Sequence, residues 1–426
     1  MGWITPLGDD VETVWQRLLK GDSGIVPTTI FDASTFPTIF SAEVKSFELA
    51  KYLGPDTQRY KDSSRNTRFA LGAAKVAWDD AGLTTCNDHD TTRVGVYLGG
   101  GEGPIDFDNF VAAAVSGWDA EAKNGMGDLD ARKWVEVAAE RLQVITEFEQ
   151  DPNMAAGHIA CLFNAQGPTF NTLTACAAST QAIGEATNLI RRGDADIIIS
   201  GGTHSMLHPL GVTGFNRLTA LSTRNDSYQT ASRPFDQTRD GFVLGEGAGI
   251  VILEEYEHAK RRGAKCLAEM VGYGSTADAF RVTDMHDQGR GCIAAMQQAL
   301  EDAGLKPGDI DYISAHGTST EENDKIESLA IGEVFGEAAS KVPISSIKSM
   351  MGHLIAAAGV VELIICVLAI RDGIVPPTMN YNSPDPNCPL DYVPNQARKV
   401  DVRRALSNSF GFGGQNNTLI VVRMDD

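Results

Sequence analysis

The chain has 426 residues, 42% of them hydrophobic, and 43 glycines, which is ordinary globular material and enough for two domains or one duplicated unit. A formal net charge of −20 opposes general affinity for nucleic acid or anionic membranes, so neither is expected as a partner. Seven cysteines, at positions 86, 161, 176, 266, 292, 366 and 388, form no CxxC pair and cannot all pair internally. Free thiols in a reducing compartment, the cytoplasm, are therefore expected.

In chain order, Met1-Gly2-Trp3-Ile4-Thr5-Pro6 has neither the basic flank nor the apolar core of a signal peptide, and Pro6 spoils a myristoylation pattern. No strand precedes Gly2, so a leading β-strand is either missing or lies upstream. Arg59, Lys61, Arg65, Arg68 and Arg217 are candidates for a local basic patch that would meet an acidic protein partner, against a plain scatter of solvated charges.

Two internal segments match: Ala77-Trp78-Asp79-Asp80-Ala81-Gly82-Leu83 and Ala299-Leu300-Glu301-Asp302-Ala303-Gly304-Leu305. Each ends a helical pattern, and each leads through a loop into a strand ending in glycine, at Gly99 and at Gly317. Two related α/β halves follow, residues 1–255 and 256–426. Residues 104–150, helical in pattern and acidic, have no counterpart in the second half and read as an insertion.

Next comes Phe170-Asn171-Thr172-Leu173-Thr174-Ala175-Cys176, followed by apolar residues at three- and four-residue steps from Ala178 to Ile190. This is a strand-to-helix elbow with a thiol at its corner, closed by Arg191, Arg192 and the stop residue Gly193. A helix N-terminus favours the thiolate by up to ~2 kcal/mol, enough to make a working nucleophile, and a small buried apolar residue is the equal alternative for the elbow taken alone. The strand Ile197-Ile198-Ile199-Ser200 follows, then a hairpin-like pair, residues 241–244 and 249–253.

The second half repeats this grammar. His316 ends one strand, and the strand over residues 343–347 leads through Lys348-Ser349-Met350-Met351-Gly352-His353 into an apolar run from Leu354 to Ile370. Glu362 and Gly359 make that run a helix buried in protein rather than a membrane span. Nine residues separate His353 from Glu362, so His353 is expected before the helix's first turn. Lys348 and Glu362 are the charges most exposed to the cost of burial near the histidines, and an ion pair is plausible. A glycine-rich loop, Ser409-Phe410-Gly411-Phe412-Gly413-Gly414, lies between two closing strands.

A thiol and two imidazoles at strand ends suit acyl-thioester chemistry. Zinc is a weaker reading, because His204 and His208 are the only close ligand pair and Pro209 follows at once. The run Gly99-Gly100-Gly101-Glu102-Gly103 is a poor dinucleotide signal, since Glu102 and Pro104 oppose a phosphate at a helix start.

Five segments together resemble the elongating β-ketoacyl-acyl-carrier-protein synthases of the thiolase superfamily. They are Thr174-Ala175-Cys176-Ala177-Ala178-Ser179, Arg233-Pro234-Phe235-Asp236 with Arg239-Asp240-Gly241-Phe242, Ala315-His316-Gly317-Thr318-Ser319-Thr320, Lys348 to His353, and Asn408 to Gly414. The resemblance implies a thiolase-like α/β fold of two pseudo-duplicated halves in five layers, αβαβα. It implies that Cys176 accepts an acyl group from an acyl carrier protein, with the N–H groups of Cys176 and Phe412 as oxyanion hole. His316 and His353, both neutral, would steady the enolate formed from the malonyl carrier protein. Thr318 and Thr320 match positions that hold the phosphopantetheine arm, Phe412 a gate, and Lys348, Glu362, Asp324 and Glu327 a supporting network. The family uses no metal and no organic cofactor beyond its partner's prosthetic arm, and is usually a homodimer. Asn416-Asn417 and Ala177-Ala178 vary its pattern mildly. Glu102 stands where the family lines its acyl pocket with an apolar residue, so the resemblance does not fix chain length. A polyketide or specialised-lipid ketosynthase and a non-catalytic partner subunit are the alternatives, the latter opposed by Cys176, His316 and His353. A degradative thiolase is disfavoured, because its second cysteine has no match better than Cys388 in a Pro/Asp/Asn-rich turn.

Overall fold

The computed structural model describes residues 1–86, 89–101 and 105–424, so Glu102 and Pro104 lie outside the described residues. Two five-stranded sheets carry the fold. The first contains β1 (Gly2–Ile4), β2 (Val94–Gly100), β3 (Thr169–Thr172), β4 (Ile197–His204) and β5 (Gly247–Glu254), in the order β1-β5-β4-β2-β3. The second contains β6 (Glu269–Ala277), β7 (Tyr312–Ser314), β8 (Ile344–Ser345), β9 (Arg404–Gly411) and β10 (Gln415–Val422), in the order β6-β10-β9-β7-β8. In each, three strands at one end are mutually parallel and each of the next two is antiparallel to its neighbour. The internal repeat is thus a repeat of topology.

Helices sort into three layers around the sheets. Outside the first sheet lie α1 (Arg65–Asp80) and α2 (Met154–Phe163); between the sheets lie α3 (Ala178–Arg191) and α6 (Ala358–Asp372); outside the second lie α4 (Arg290–Asp302) and α5 (Glu321–Phe335). This is the five-layered thiolase-like architecture. The matching segments close α1 and α4 alike: Gly82 and Gly304 take φ of 69° and 64°, and the N–H groups of Leu83 and Leu305 donate to the carbonyls of Trp78 and Leu300.

The inner helices explain the membrane-like run. Every residue of α6 from Ala358 to Ile370 is buried, because a sheet covers it on both sides. Among the described residues no helix is long and apolar enough to cross a membrane. The starts of α3 and α6 touch: the Val360 N–H donates to Ser179 Oγ at 3.0 Å, and a side chain at Gly359 would sit 1.9 Å from Thr180 Oγ1.

Three expectations are corrected. The leading strand is present as β1, whose three residues pair with Ala248, Gly249 and Ile250. It was illegible because three residues carry no period, and its counterpart β6 has nine. Beyond β1, residues 251–254 face a surface groove of about 1270 Å³ that Leu363, Val367 and Val421 also line. The expected hairpin does not form, since residues 249–253 lie within β5 and pair with β4. Phe242 and Leu244 instead bridge Leu221 and His353, and alternation along a strand cannot say which neighbour it takes. Nor do the basic residues form one free patch: Arg65 is held bidentately by the buried Glu246, at 2.5 and 2.8 Å, while Arg59, Lys61, Arg68 and Arg217 are exposed.

The insertion is helical over Phe107–Gly117, Ala131–Arg141 and Val144–Phe148. Val115, Trp118, Met126, Val144 and Phe148 stand exposed on it.

Candidate active site

The elbow is built by close backbone approach. From β3 the chain turns through Ala175, whose φ of 47° is left-handed and strained for a residue with a Cβ, and enters a short 3-10 turn, Ala175–Ala177, before α3. Two bare glycines make room. A Cβ on Gly99 would lie 2.3 Å from the Ser179 nitrogen, and one on Gly411 would lie 2.8 Å from the Thr174 oxygen and 3.2 Å from the Cys176 nitrogen. Cys176 is thereby pressed between the two halves.

Its protonation differs from the sequence expectation. Burial pushes the Cys176 thiol up to about 12, against the opposing pull of the Lys348 charge and of the nearby Phe412 and Cys176 N–H groups. The helix end is present, but the desolvation of a fully enclosed sulfur outweighs it. Cys176 rests as a thiol.

His316 follows β7 and is fixed by its backbone. Its N–H and that of Gly317 donate to the two carboxylate oxygens of Glu327 at 2.8 and 2.7 Å, and Asn408 Nδ2 donates to the same carboxylate at 3.3 Å. Lys348 Nζ donates to the His316 carbonyl at 2.6 Å, approaches His316 Nδ1 at 3.5 Å, and pairs with Glu362. His353 lies before α6, its N–H donating to the Val243 carbonyl at 2.7 Å. Its Nδ1 accepts the Ile355 N–H at 3.3 Å, and its Nε2 has no partner.

Those donors set both tautomers. A ring nitrogen that faces an N–H or an ammonium must be the lone-pair nitrogen, so the proton of each neutral imidazole sits on Nε2. Neutrality is assured: burial, then the Lys348 charge, holds both histidines well below the usual imidazole range. The rings stand 5.3 Å apart at 82°, and the Cys176 sulfur and one nitrogen of each histidine lie within 4.8 Å of one another. The site is one buried thiol beside two neutral imidazoles.

The remaining residues fall into place around it. Burial pushes the carboxyls of Glu362 and Glu327 up to about 7. Asp324, one turn before Glu327 on α5, accepts the N–H groups of Phe235 and Ser319 at 2.7 and 3.2 Å with Arg239 beside it, so it shapes the loop carrying Thr318 and Thr320, while its charge and that of Lys348 both act on Glu327. Thr318 and Thr320 join through their hydroxyls at 2.9 Å. Phe412 is half-buried, on a loop held by the Gly413 N–H donating to Val282 and the Asp278 N–H donating to Gly414. His208 Nδ1 accepts the Gly211 N–H at 3.2 Å at the start of helix Pro209–Arg217, and burial, then neighbouring His208, pushes His204, fully buried at the end of β4, down to about 3. Asn408, which the sequence reading did not single out, anchors Glu327, and its place beside the glycine-rich loop was the available signal.

This geometry defines an acyl-transferring condensing enzyme, and the chain belongs to the β-ketoacyl synthase family. Its residues 1–259 match the family's N-terminal domain and 267–382 its C-terminal domain. It is 42% identical to the 3-oxoacyl-[acyl-carrier-protein] synthase 2 of Coxiella burnetii, over all of this chain and 98% of that one, and 40% identical to the enzyme of the same name from Staphylococcus aureus strain N315, over all of this chain and 97% of that one. Among solved structures it resembles a type II PKS ketosynthase, bound to the hexaketide and in complex with its acyl-carrier protein, with TM-score 0.86, 35% identity, and coverage of 100% and 98%. A β-ketoacyl synthase from Burkholderia phymatum gives TM-score 0.86 at 32% identity, with the same coverage.

Proposed function

We propose that this chain is a 3-oxoacyl-[acyl-carrier-protein] synthase that elongates acyl chains by two carbons. The observation that carries this reading is the single buried sulfur of Cys176 gathered with one ring nitrogen of each histidine, all within 4.8 Å of one another. In the first half-reaction the Cys176 thiol attacks the acyl thioester on the carrier protein. The new S–C bond forms, the phosphopantetheine sulfur leaves, and one proton passes from the old thiol to the new, so no net base is consumed. The N–H groups of Cys176 and Phe412, both acting on the sulfur, receive the carbonyl oxygen as it becomes an oxyanion.

In the second half-reaction malonyl thioester loses carbon dioxide, and its electron pair remains as an enolate. His316 and His353 donate their Nε2 protons as hydrogen bonds to that oxygen. Neither needs to transfer a proton, which is why neutral rings suffice. The enolate carbon attacks the acyl-Cys176 carbonyl, the carbon–sulfur bond breaks, and the thiolate regains a proton from water. Lys348 holds the His316 tautomer, and Glu362 balances its charge. Thr318 and Thr320 receive the pantetheine arm, and Phe412 gates it.

No metal or organic cofactor enters this scheme, and the prosthetic arm belongs to the carrier protein. The cysteine and histidine trio has the donor set of a thiophilic metal site, but a metal on Nε2 would have to displace a proton that Nδ1 cannot accept from its facing donors. The protein acts in the cytoplasm as a homodimer, with Phe170 and Leu173, exposed at the free edge of β3, and the apolar face of the insertion as its contact.

Incubated with acyl carrier protein thioesters, the wild type should gain one acyl mass on Cys176, and Cys176→Ala none. A wild type that stays unmodified at every chain length makes the chain a non-catalytic partner subunit. The hexaketide-bound relative favours a second reading, a polyketide ketosynthase, which the preferred acyl group decides.

A further inference from the structure

His204 is a buried imidazole that the reaction above leaves unused. It ends β4 with no exposure, and neither ring nitrogen has a hydrogen-bond partner among the described residues. Its neighbours differ. Thr203 Oγ1 donates to the Asn66 carbonyl at 2.6 Å and Ser205 Oγ donates to Glu246 at 2.7 Å, so the polar groups either side of it are satisfied.

Strand alternation gives the direction in which His204 points. Gly202, two residues earlier and on the same face, lies against Ser179 and the Ala356 carbonyl, at the starts of the two inner helices. His204 follows one pleat further toward the carboxyl edge of β4, on the face that Gly202 turns to those helix starts. It rests on the bare α-carbon of Gly101, where a Cβ would lie 2.3 Å from Nδ1, and it is close enough to act electrostatically on His353. The apolar residues packed around Cys176, among them Leu207, Phe242, Leu244 and Ile355, offer it no partner.

A neutral imidazole has one donor and one acceptor, and leaving both unmade in a buried site is costly. We propose that His204 is a specificity residue of the acyl chamber, pairing with an oxygen on the acyl chain carried by Cys176, so that an oxygenated acyl group is preferred to a saturated one of equal length. This rests on Cys176 being the acyl acceptor. A saturated chain would leave the imidazole bare or strip it of water, whereas a carbonyl would accept its N–H.

The test uses the full chain and eight-carbon N-acetylcysteamine thioesters: octanoyl, and isomers carrying one ketone at carbon 3, 5 or 7. The kcat/KM for loading Cys176 is read by intact mass in pairwise competition. Wild type should prefer at least one keto isomer to octanoyl by about tenfold, the worth of one ordinary buried hydrogen bond. His204→Leu should erase that preference while still loading octanoyl, and His204→Asn, which keeps a donor and an acceptor, should retain part of it. Because each ratio is measured within one protein, a partly folded variant does not distort it. Equal loading of octanoyl and every keto isomer by wild type, or an unchanged ratio in His204→Leu, overturns the role of His204 and leaves Cys176 as acceptor. Failure of every thioester to load overturns both.

Discussion

The molecule contains two elbows of one design. Ala175–Ala177 leads into α3 and Ile355–Ala357 into α6, each a 3-10 turn whose first residue has a φ of 47°. Yet the first places Cys176 at its second position and the other places Ala356 there. The first elbow supplies the nucleophile; the second supplies an N–H, that of Ile355, which fixes the tautomer of His353. Duplication thus gave two equivalent corners, and chemistry resides at one while the other was turned to positioning.

The sharpest way to break this comparison is to move the thiol. The double variant Cys176→Ala, Ala356→Cys should lose acylation and condensation by at least about 10³-fold, since the Phe412 donor and a nitrogen of each histidine gather around the sulfur of the first corner. Acylation of the relocated thiol at a comparable rate would show that the corners are interchangeable. Next in size, His316→Ala should still load acyl groups on Cys176 but lose malonyl decarboxylation by about 10²- to 10³-fold, read as carbon dioxide release. Loss of both half-reactions together would contradict the division of labour.

A smaller effect comes from the packing between loop and elbow. In Gly411→Ala the new methyl meets the Thr174 carbonyl and the Cys176 N–H, so the Phe412 donor should shift and kcat for acyl loading fall about ten- to a hundred-fold, with KM little changed. The smallest concerns pH. The Glu327 carboxyl is held at about 7 in the fold against an ordinary 4.5, so its contribution is fully present below pH 4.5 and is lost as pH rises through 7. Over that window wild type should lose about 3 kcal/mol more than Glu327→Gln, measured by urea unfolding at each pH. Parallel curves would refute the assignment.

Much of the site was legible because it is local. A cysteine before a 3.6-residue period, histidines just after strand patterns, and glycines next to both are short-range signals, and the matching Ala-Gly-Leu segments disclosed the duplication. Where contacts are long-range, legibility failed. The thiol expected to be ionised rests neutral, because the enclosure of Cys176 involves the Gly411 loop, more than two hundred positions away. The partner of β5 was misread because alternation shows a strand's faces, not its neighbours. His204 looked like half of a weak metal pair, and only the fold buried its ring against Gly101 and near His353.

The sequence by itself determined the helix starts and stops, the duplicated α/β plan and the identity of the thiol and two imidazoles, because backbone periodicity and turn chemistry act over a few residues. The tertiary structure decided their protonation, their tautomers and which buried polar groups stay unpaired. Those properties depend on desolvation and on donors such as Lys348 and the Ile355 N–H, which only folding brings to the same point.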